Sequence, residues 1–210
     1  MTKQARVGKI SSMMGSMGRW AGVCRHAFAR GTFPHEMSFI LESRWRNLLL
    51  SPEALAQRLP LTGDSCVLEI GAGSGFYSSA VASRIPRGRL ELVDLQEEML
   101  AKARRKVSAA GLGNVGCSVT RAGEPIPFPD ASFDVVFMVT VLGEVDDKDS
   151  LINDACRLLA PGGVLSLSEH LPDPDFVLLG RLRRLVEPNG FEFRRKFGRR
   201  WAFTANFERV

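Results

Sequence analysis

Nowhere in this sequence does an apolar run approach the roughly 20 residues that a membrane-spanning helix needs, and its start lacks the apolar core of a secretory signal. A C-x-x-C pair is missing too: Cys24, Cys66, Cys117 and Cys156 stand singly. That spacing argues against a disulfide framework or a zinc centre, and no metal site is expected. Cys66, Cys117 and Cys156 fall in apolar or regular segments and are expected to be buried free thiols. A reducing, cytoplasmic setting fits them, whereas Cys24 lies in a less regular stretch and keeps a reactive role open. There is no internal repeat. Zinc-finger spacing and an RNA-binding aromatic signature are also missing, so nucleic acid is not an expected partner.

Acidic residues are absent from the first 30 positions, which hold six Lys/Arg. Residues 181–210 carry nine Lys/Arg against Glu187, Glu192 and Glu208, while 31–180 hold 13 basic and 20 acidic residues. Basic ends on an acidic middle suit solubility, an anionic substrate or a membrane surface. The N-terminal stretch mixes its cations with Met13, Met14, Met17, Trp20 and Phe28, a pattern able to lie in a membrane interface. With 210 residues, 45% of them apolar and 24% charged, the chain fits one globular domain plus a terminal extension.

From Cys66 onward, apolar runs of strand length alternate with helical periodicity. Strands are expected at Cys66–Ile70, Leu90–Val93, Gly116–Arg121, Phe133–Val139 and Val164–Ser168. Helices are expected at Phe76–Arg84, Gln96–Ala110 and Asp149–Leu159, the last closed by a turn at Ala160–Gly163. Such alternation predicts an α/β fold, with parallel strands and helices on both faces. After a helix over Phe176–Val186, "FEFRRKF" and "WAFTANFER" flank Gly198-Arg199-Arg200 and read as a β-hairpin. Phe39–Leu50 and Pro52–Leu59 read as helices, so residues 1–60 form a helical extension and 61–210 the main domain.

The stretch "VLEIGAGSGFYS", Val67–Ser78, joins a strand to a helix through glycines at alternate positions. A dinucleotide fingerprint beginning at Gly71 would need glycine at Phe76; the third glycine is Gly75 instead. Gly71, Gly73 and Gly75 let a ligand approach the backbone, beside the carboxylate of Glu69. Asp94 ends the second strand, where an acid accepts hydrogen bonds from both ribose hydroxyls; alternatively it caps the following helix. Together these features describe a site for a nucleoside carrying a positive group.

At this point the chain resembles the class I S-adenosylmethionine-dependent methyltransferases. "VLEIGAGSGFYS", "LELVDLQEEML", "PIPFPDASFDVVFMV" and "ACRLLAPGGVLSLSEH" look like four of that family's motifs, in order. The resemblance implies a Rossmann-like seven-stranded sheet, mostly parallel with an antiparallel last strand, and S-adenosylmethionine as cofactor. It places Glu69 and the Gly71–Ala72–Gly73–Gly75 backbone at the methionine moiety and Asp94 at the ribose. Leu95 and Met99 flank the adenine, and Thr140 lies near the sulfonium. One position departs from the family: the aspartate that usually meets the adenine amino group is Ala122 here, leaving the Gly123 backbone or Glu124 to take its place.

The implied function is methyl transfer to a small apolar or aromatic acceptor, with quinone and lipid C-methyltransferases as the nearest well-known relatives. The alternatives are a non-catalytic S-adenosylmethionine-binding protein, or a quinone or lipid methyltransferase at a membrane surface. Alignment and desolvation can carry such a displacement, yet a hydroxyl, amine or carbon acceptor can need a base. Glu144, Glu169 and His170, beyond strands four and five, are the candidates. In quinone-type relatives a histidine often stands near Glu144, so its acidity is a second departure. His35, Glu36, Arg44 and Trp45 belong to a candidate acceptor lid. Oligomeric state is not legible in the sequence.

Overall fold

In a computed structural model of the chain, residue 47 and residues 49–210 are described. The predicted segment Phe39–Leu50 therefore lies mostly outside the described residues, as do Cys24, the basic N-terminal stretch and His35, Glu36, Arg44 and Trp45. Helix α1 (Pro52–Arg58) starts where Ser51 Oγ accepts from the Ala54 amide at 3.1 Å and Pro52 occupies the first turn. Leu50, Leu55, Ala56 and Leu59 bury against the same apolar cluster as Val67 and Leu90.

Next come β1 (Cys66–Ile70), α2 (Ser78–Ala82), β2 (Arg89–Asp94), α3 (Glu97–Ala109), β3 (Val115–Val119) and β4 (Phe133–Val139). They are followed by α4 (Lys148–Leu158), β5 (Leu159–His170), α5 (Leu179–Val186), β6 (Phe191–Arg199) and β7 (Ala202–Arg209). The seven strands form one sheet in the order β3-β2-β1-β4-β5-β7-β6. Pairings from β3 through β5 are parallel, and β7 runs antiparallel to both β5 and β6. Two apolar clusters cover the two faces: one gathers Val136, Met138 and Leu167, the other Val67, Leu92, Val135 and Phe137. Both alternate along β4, as a strand buried on both sides requires. The order reverses between β1 and β4, the place where open α/β sheets bind ligands beyond the strands' carboxyl ends.

Three local expectations need correction. The helix expected over Phe76–Arg84 shrinks to Ser78–Ala82, because the glycine turn continues through Phe76 and Tyr77. Ala160–Gly163 is not a separate turn; it forms an irregularity within β5, which pairs Leu159 with Phe133 and next Val164 with Val135. The hairpin turn is Arg200-Trp201, shorter and later than the expected Gly198-Arg199-Arg200, because Gly198 and Arg199 still pair with Phe203 and Ala202. In addition, Cys66, Cys117 and Cys156 are free but only half-buried. For Cys117 the cause is its place on β3, the sheet's outer strand, whose residues are at best partly covered. Among the described residues, no helix is long and apolar enough to cross a membrane.

Candidate functional site

The carboxyl ends of β1, β2, β4 and β5 meet at one edge of the sheet. Gly71, Gly73 and Gly75 have φ of +71°, +54° and +73°. Other residue types rarely adopt this left-handed region, but two of the glycines are needed for different spatial reasons. A Cβ on Gly75 would lie 2.8 Å from Ala103 Cβ, so Gly75 lets the turn pack on α3. A Cβ on Gly73 would clash with nothing: the nearest atom is Met99 Cε, at 3.6 Å, an ordinary contact. The turn is tied to β2 by the Gly71 and Ala72 amides, which both donate to the Val93 carbonyl.

Asp94 joins the turn to α3. Its Oδ2 accepts from the Gly73 amide at 2.8 Å and its Oδ1 from the Gln96 amide at 2.9 Å. The bond to Gln96 is a local two-residue turn; helix α3 itself starts from Gln96, without a side-chain cap. Burial raises the Asp94 carboxyl above the usual range, and the donating amides of Gln96, Gly73 and Leu95 partly offset this. Glu69 is buried below the turn and accepts from Ser78 Oγ at 2.6 Å. Ser78, nine residues beyond Glu69 in the first turn of the next helix, escaped the sequence reading; a small hydroxyl just after a glycine turn is its only signal.

Thr140 stands at the end of β4 with φ +53°. A β-branched side chain in this region stores about 1–3 kcal/mol of strain, the kind of cost found at functional sites. The bond from the Thr140 amide to the Ser168 carbonyl, 2.9 Å, holds the residue there. The chain then turns through Gly143 to Glu144, where a Cβ on Gly143 would lie 2.1 Å from the Asp175 carbonyl oxygen. That close approach brings the segment after β4 against the segment after β5.

Glu169 is buried at the end of β5 and accepts from the Val177 amide at 3.2 Å. Loss of solvent pushes its carboxyl up to about 8, with further upward pushes from Asp173, Glu144 and Asp175 against the Val177 bond. The fold therefore gathers Glu144 and Glu169 but separates His170 from them. His170 is the next residue of the strand and points to the opposite face. On that face Ser168 Oγ meets Thr204 Oγ1 at 2.8 Å, and Arg58 Nη1 donates to Thr204 Oγ1 at 3.1 Å.

The raised Glu169 carboxyl has a measurable consequence. The folded state holds this proton up to about pH 8, whereas an unfolded glutamate releases it near 4.5. Between those values the folded state binds more protons, so stability falls as pH rises and is fully present below about 4.5. A ten-fold gain in proton affinity is worth about 1.4 kcal/mol, which makes the total contribution a few kcal/mol. Urea denaturation at pH 5, 6.5 and 8 is expected to show Glu169→Gln losing less stability than the parent. Parallel pH curves for parent and variant would overturn this account.

Among the cofactor candidates, Leu95 is 43% exposed beside Asp94, and Met99 is buried under the glycine turn. Gly123 has open space where a Cβ would stand, and Glu124 lies 3.5 Å from Arg121. A cavity of about 210 Å³ opens beside Glu124, walled by Val119, Thr120, Arg121, Pro125 and Pro127. These residues fit S-adenosylmethionine. A Cβ on Gly73 would clash with nothing, and the Asp94 carboxylate, with about four lone-pair sites, keeps capacity beyond the three backbone amides that donate to it. An exposed apolar wall stands next to both.

Comparison with known proteins agrees with the geometry. Residues 67–163 match the family described as "Methyltransferase domain". The chain is 30% identical over 169 residues to the demethylmenaquinone methyltransferase of Tropheryma whipplei, covering 75% of this chain and 66% of that protein. It is 35% identical over 105 residues to the ubiquinone/menaquinone biosynthesis C-methyltransferase of Hydrogenovibrio crunogenus, covering 49% of this chain and 41% of that one. It thus spans between two fifths and two thirds of these relatives' lengths. In fold it is similar to an S-adenosylmethionine-dependent methyltransferase of Aquifex aeolicus, with TM-score 0.78 and 23% identity over 85% of this chain and 100% of that one. Four ordered motifs, a sheet whose final strand is reversed and a glycine turn locked to Asp94 thus converge with these likenesses: the chain belongs to the class I S-adenosylmethionine-dependent methyltransferases and is distantly like the quinone C-methyltransferases among them.

Proposed function

We propose that the chain transfers the methyl group of S-adenosylmethionine to a small aromatic acceptor bearing a hydroxyl, of the quinol type. The observation that carries this reading is the pair of carboxyls in unlike environments, Glu144 half-exposed after β4 and Glu169 buried in β5, one residue before its end. Two titratable groups whose surroundings differ in this way suit complementary acid and base roles. The names of the curated relatives support the acceptor class.

When bound, S-adenosylmethionine supplies a methyl group on a positively charged sulfur. In this proposal Asp94 accepts from the ribose hydroxyls, while Glu69 and the Gly71–Gly75 backbone, Ala72 included, hold the methionine end. Leu95 and Met99 wall the adenine, with Gly123 and Glu124 at its edge and Thr140 bordering the reacting centre. Glu144 takes the proton from the acceptor hydroxyl and passes it to solvent. Glu169, protonated at neutral pH, donates a hydrogen bond to an acceptor oxygen. His170, on the other face, is assigned no step. Residues 1–60 are proposed as the extension that closes over the acceptor, with 61–210 as the methyltransferase domain.

The test is transfer of labelled methyl from S-adenosylmethionine to a panel of hydroquinones, catechols and amines. Label in the hydroxylated aromatics is expected; label confined to amines would overturn the acceptor class. Asp94→Ala removes the ribose acceptor, and each hydrogen bond to a charged group is worth about 1.5–3 kcal/mol. Calorimetry is therefore expected to show at least a ten-fold loss of S-adenosylmethionine affinity. Unchanged affinity in a folded variant would refute the role of Asp94.

A further inference from the structure

Among the described residues, six large apolar side chains are exposed: Leu95, Val119, Leu171, Leu178, Trp201 and Val210. Single exposed apolar residues are ordinary. Leu95 and Val119 lie in the region of the cofactor candidates and Val210 is the last residue, which leaves Leu171 and Leu178 on the segment between β5 and α5 and Trp201 in the β6–β7 turn. The Leu171 amide donates to the Trp201 carbonyl at 2.9 Å, which joins the segment after β5 to the β6–β7 turn. Next to this tip runs an open groove of about 510 Å³. Its walls include Phe176 and Phe203, whose rings meet edge-on at 6.0 Å, together with Leu178 and Leu179. Arg181, Arg184, Lys196 and Arg200 line the same groove.

Among the described residues, no carboxylate lines this groove. Arg183 pairs with Glu187, and Arg194 with Glu192 and Glu208, so the same helix and hairpin do carry paired arginines. Among the described residues, none of Arg181, Arg184, Lys196 and Arg200 has a carboxylate within salt-bridge distance. The nearby acids of the segment after β5, Asp173 and Asp175, act on the Glu169 carboxyl and do not line the groove. Arg199 adds a further cation, 5.8 Å over the Trp201 ring.

We propose that this tip is a docking surface for an anionic lipid bilayer. A free anion would call for a closed cradle of converging donors. Here the cations are distributed around an open apolar floor, and Leu171, Leu178 and Trp201 protrude beside them. Protruding apolar groups surrounded by Lys/Arg, with a tryptophan at the boundary, suit the headgroup layer. The cations meet lipid phosphates while the apolar side chains enter the acyl boundary. The surface opens next to Glu169, since Phe203 is its register partner on β7 and Phe176 precedes Val177, so docking would bring the proposed acceptor site close to the lipid.

The experiment is co-sedimentation of the full chain with vesicles of phosphatidylcholine alone or with added phosphatidylglycerol, at low and high salt. Binding is expected only to the anionic vesicles and is expected to weaken with salt. Each cation near such a surface contributes about a five-fold gain in partition, so Arg184→Ser with Arg200→Ser should lower binding roughly 25-fold. Vesicle binding should also shift tryptophan emission to the blue, a shift that Trp201→Phe removes while Trp20 and Trp45 remain. Both variants change exposed side chains, and unchanged thermal melts and S-adenosylmethionine affinity would confirm that they are folded. The proposal is overturned if the parent does not bind anionic vesicles at low salt, or binds neutral ones equally well. Binding that survives the double substitution overturns it as well and locates any membrane contact elsewhere, with the six cations of residues 1–30 as the source to test next.

Discussion

Replacing Gly73 with valine is expected to abolish measurable S-adenosylmethionine binding while leaving the sheet intact. The backbone at Gly73 has φ +54°, a conformation costly for a β-branched residue. Little else in the protein opposes the change, because a Cβ there meets only Met99 Cε, at 3.6 Å. The bulk of valine beyond its Cβ is therefore expected to compete with the cofactor for the volume assigned to it. The Gly73 amide also donates to Asp94 Oδ2, so strain at Gly73 shifts the proposed ribose acceptor along with the cradle. A loss of at least a hundred-fold is expected from steric exclusion combined with this displacement, about 2.7 kcal/mol or more. Gly75→Ala makes a useful contrast. Its Cβ meets Ala103 at 2.8 Å, so it should lower the melting temperature as well as binding. Calorimetric titration alongside far-UV circular dichroism separates the two. Normal binding by a folded Gly73→Val protein would show that the turn is not the cradle.

The second large effect concerns Glu144. If it takes the acceptor proton, Glu144→Gln is expected to lower kcat by about 10²–10⁴-fold, the usual contribution of a positioned base. S-adenosylmethionine affinity should remain within about two-fold, because no cofactor-binding role is assigned to this side chain. A proton-transfer role also predicts a dependence on the acceptor. The defect should shrink for phenols of lower pKa, which ionise without help, whereas a merely structural loss would slow every acceptor alike. Single-turnover rates across substituted hydroquinones check this. Full turnover by the variant on every acceptor would leave alignment alone as the source of rate.

The two carboxyls also mark where sequence reading stops. Glu144, Glu169 and His170 stand out in the sequence as a polar group after strands four and five, and nothing local ranks them. Alternation along a strand puts neighbours on opposite faces, which parts His170 from Glu169. The company of Glu169 comes from two segments that the fold brings together: the Val177 amide, Asp173 and Asp175 return over it from the stretch just after β5, and Glu144 approaches from the end of β4, where Gly143 admits the Asp175 carbonyl. Its proton affinity depends on solvent exclusion, a property of the assembled molecule.

The glycine turn, the acid ending β2 and the succession of strands were legible because they are local. Positive φ favours glycine, a buried parallel strand demands an unbroken apolar run, and an acid that closes such a run stands out by its position alone. The tail, with Phe191, Phe193 and Phe197 and then Trp201, Phe203 and Phe207 at alternate positions, likewise marks a hairpin locally. Tertiary structure decided what depends on residues far apart. Pairing with β4 drew Ala160–Gly163 into β5, although glycine and proline there signal a turn. Close contact with α3 explains Gly75, while a Cβ on Gly73 would clash with nothing, a difference invisible in two identical letters. The meeting of the β5–α5 segment with the hairpin tip set Leu171 beside Trp201, because backbone propensity acts over a few residues whereas burial and charge are summed over everything that the fold brings near.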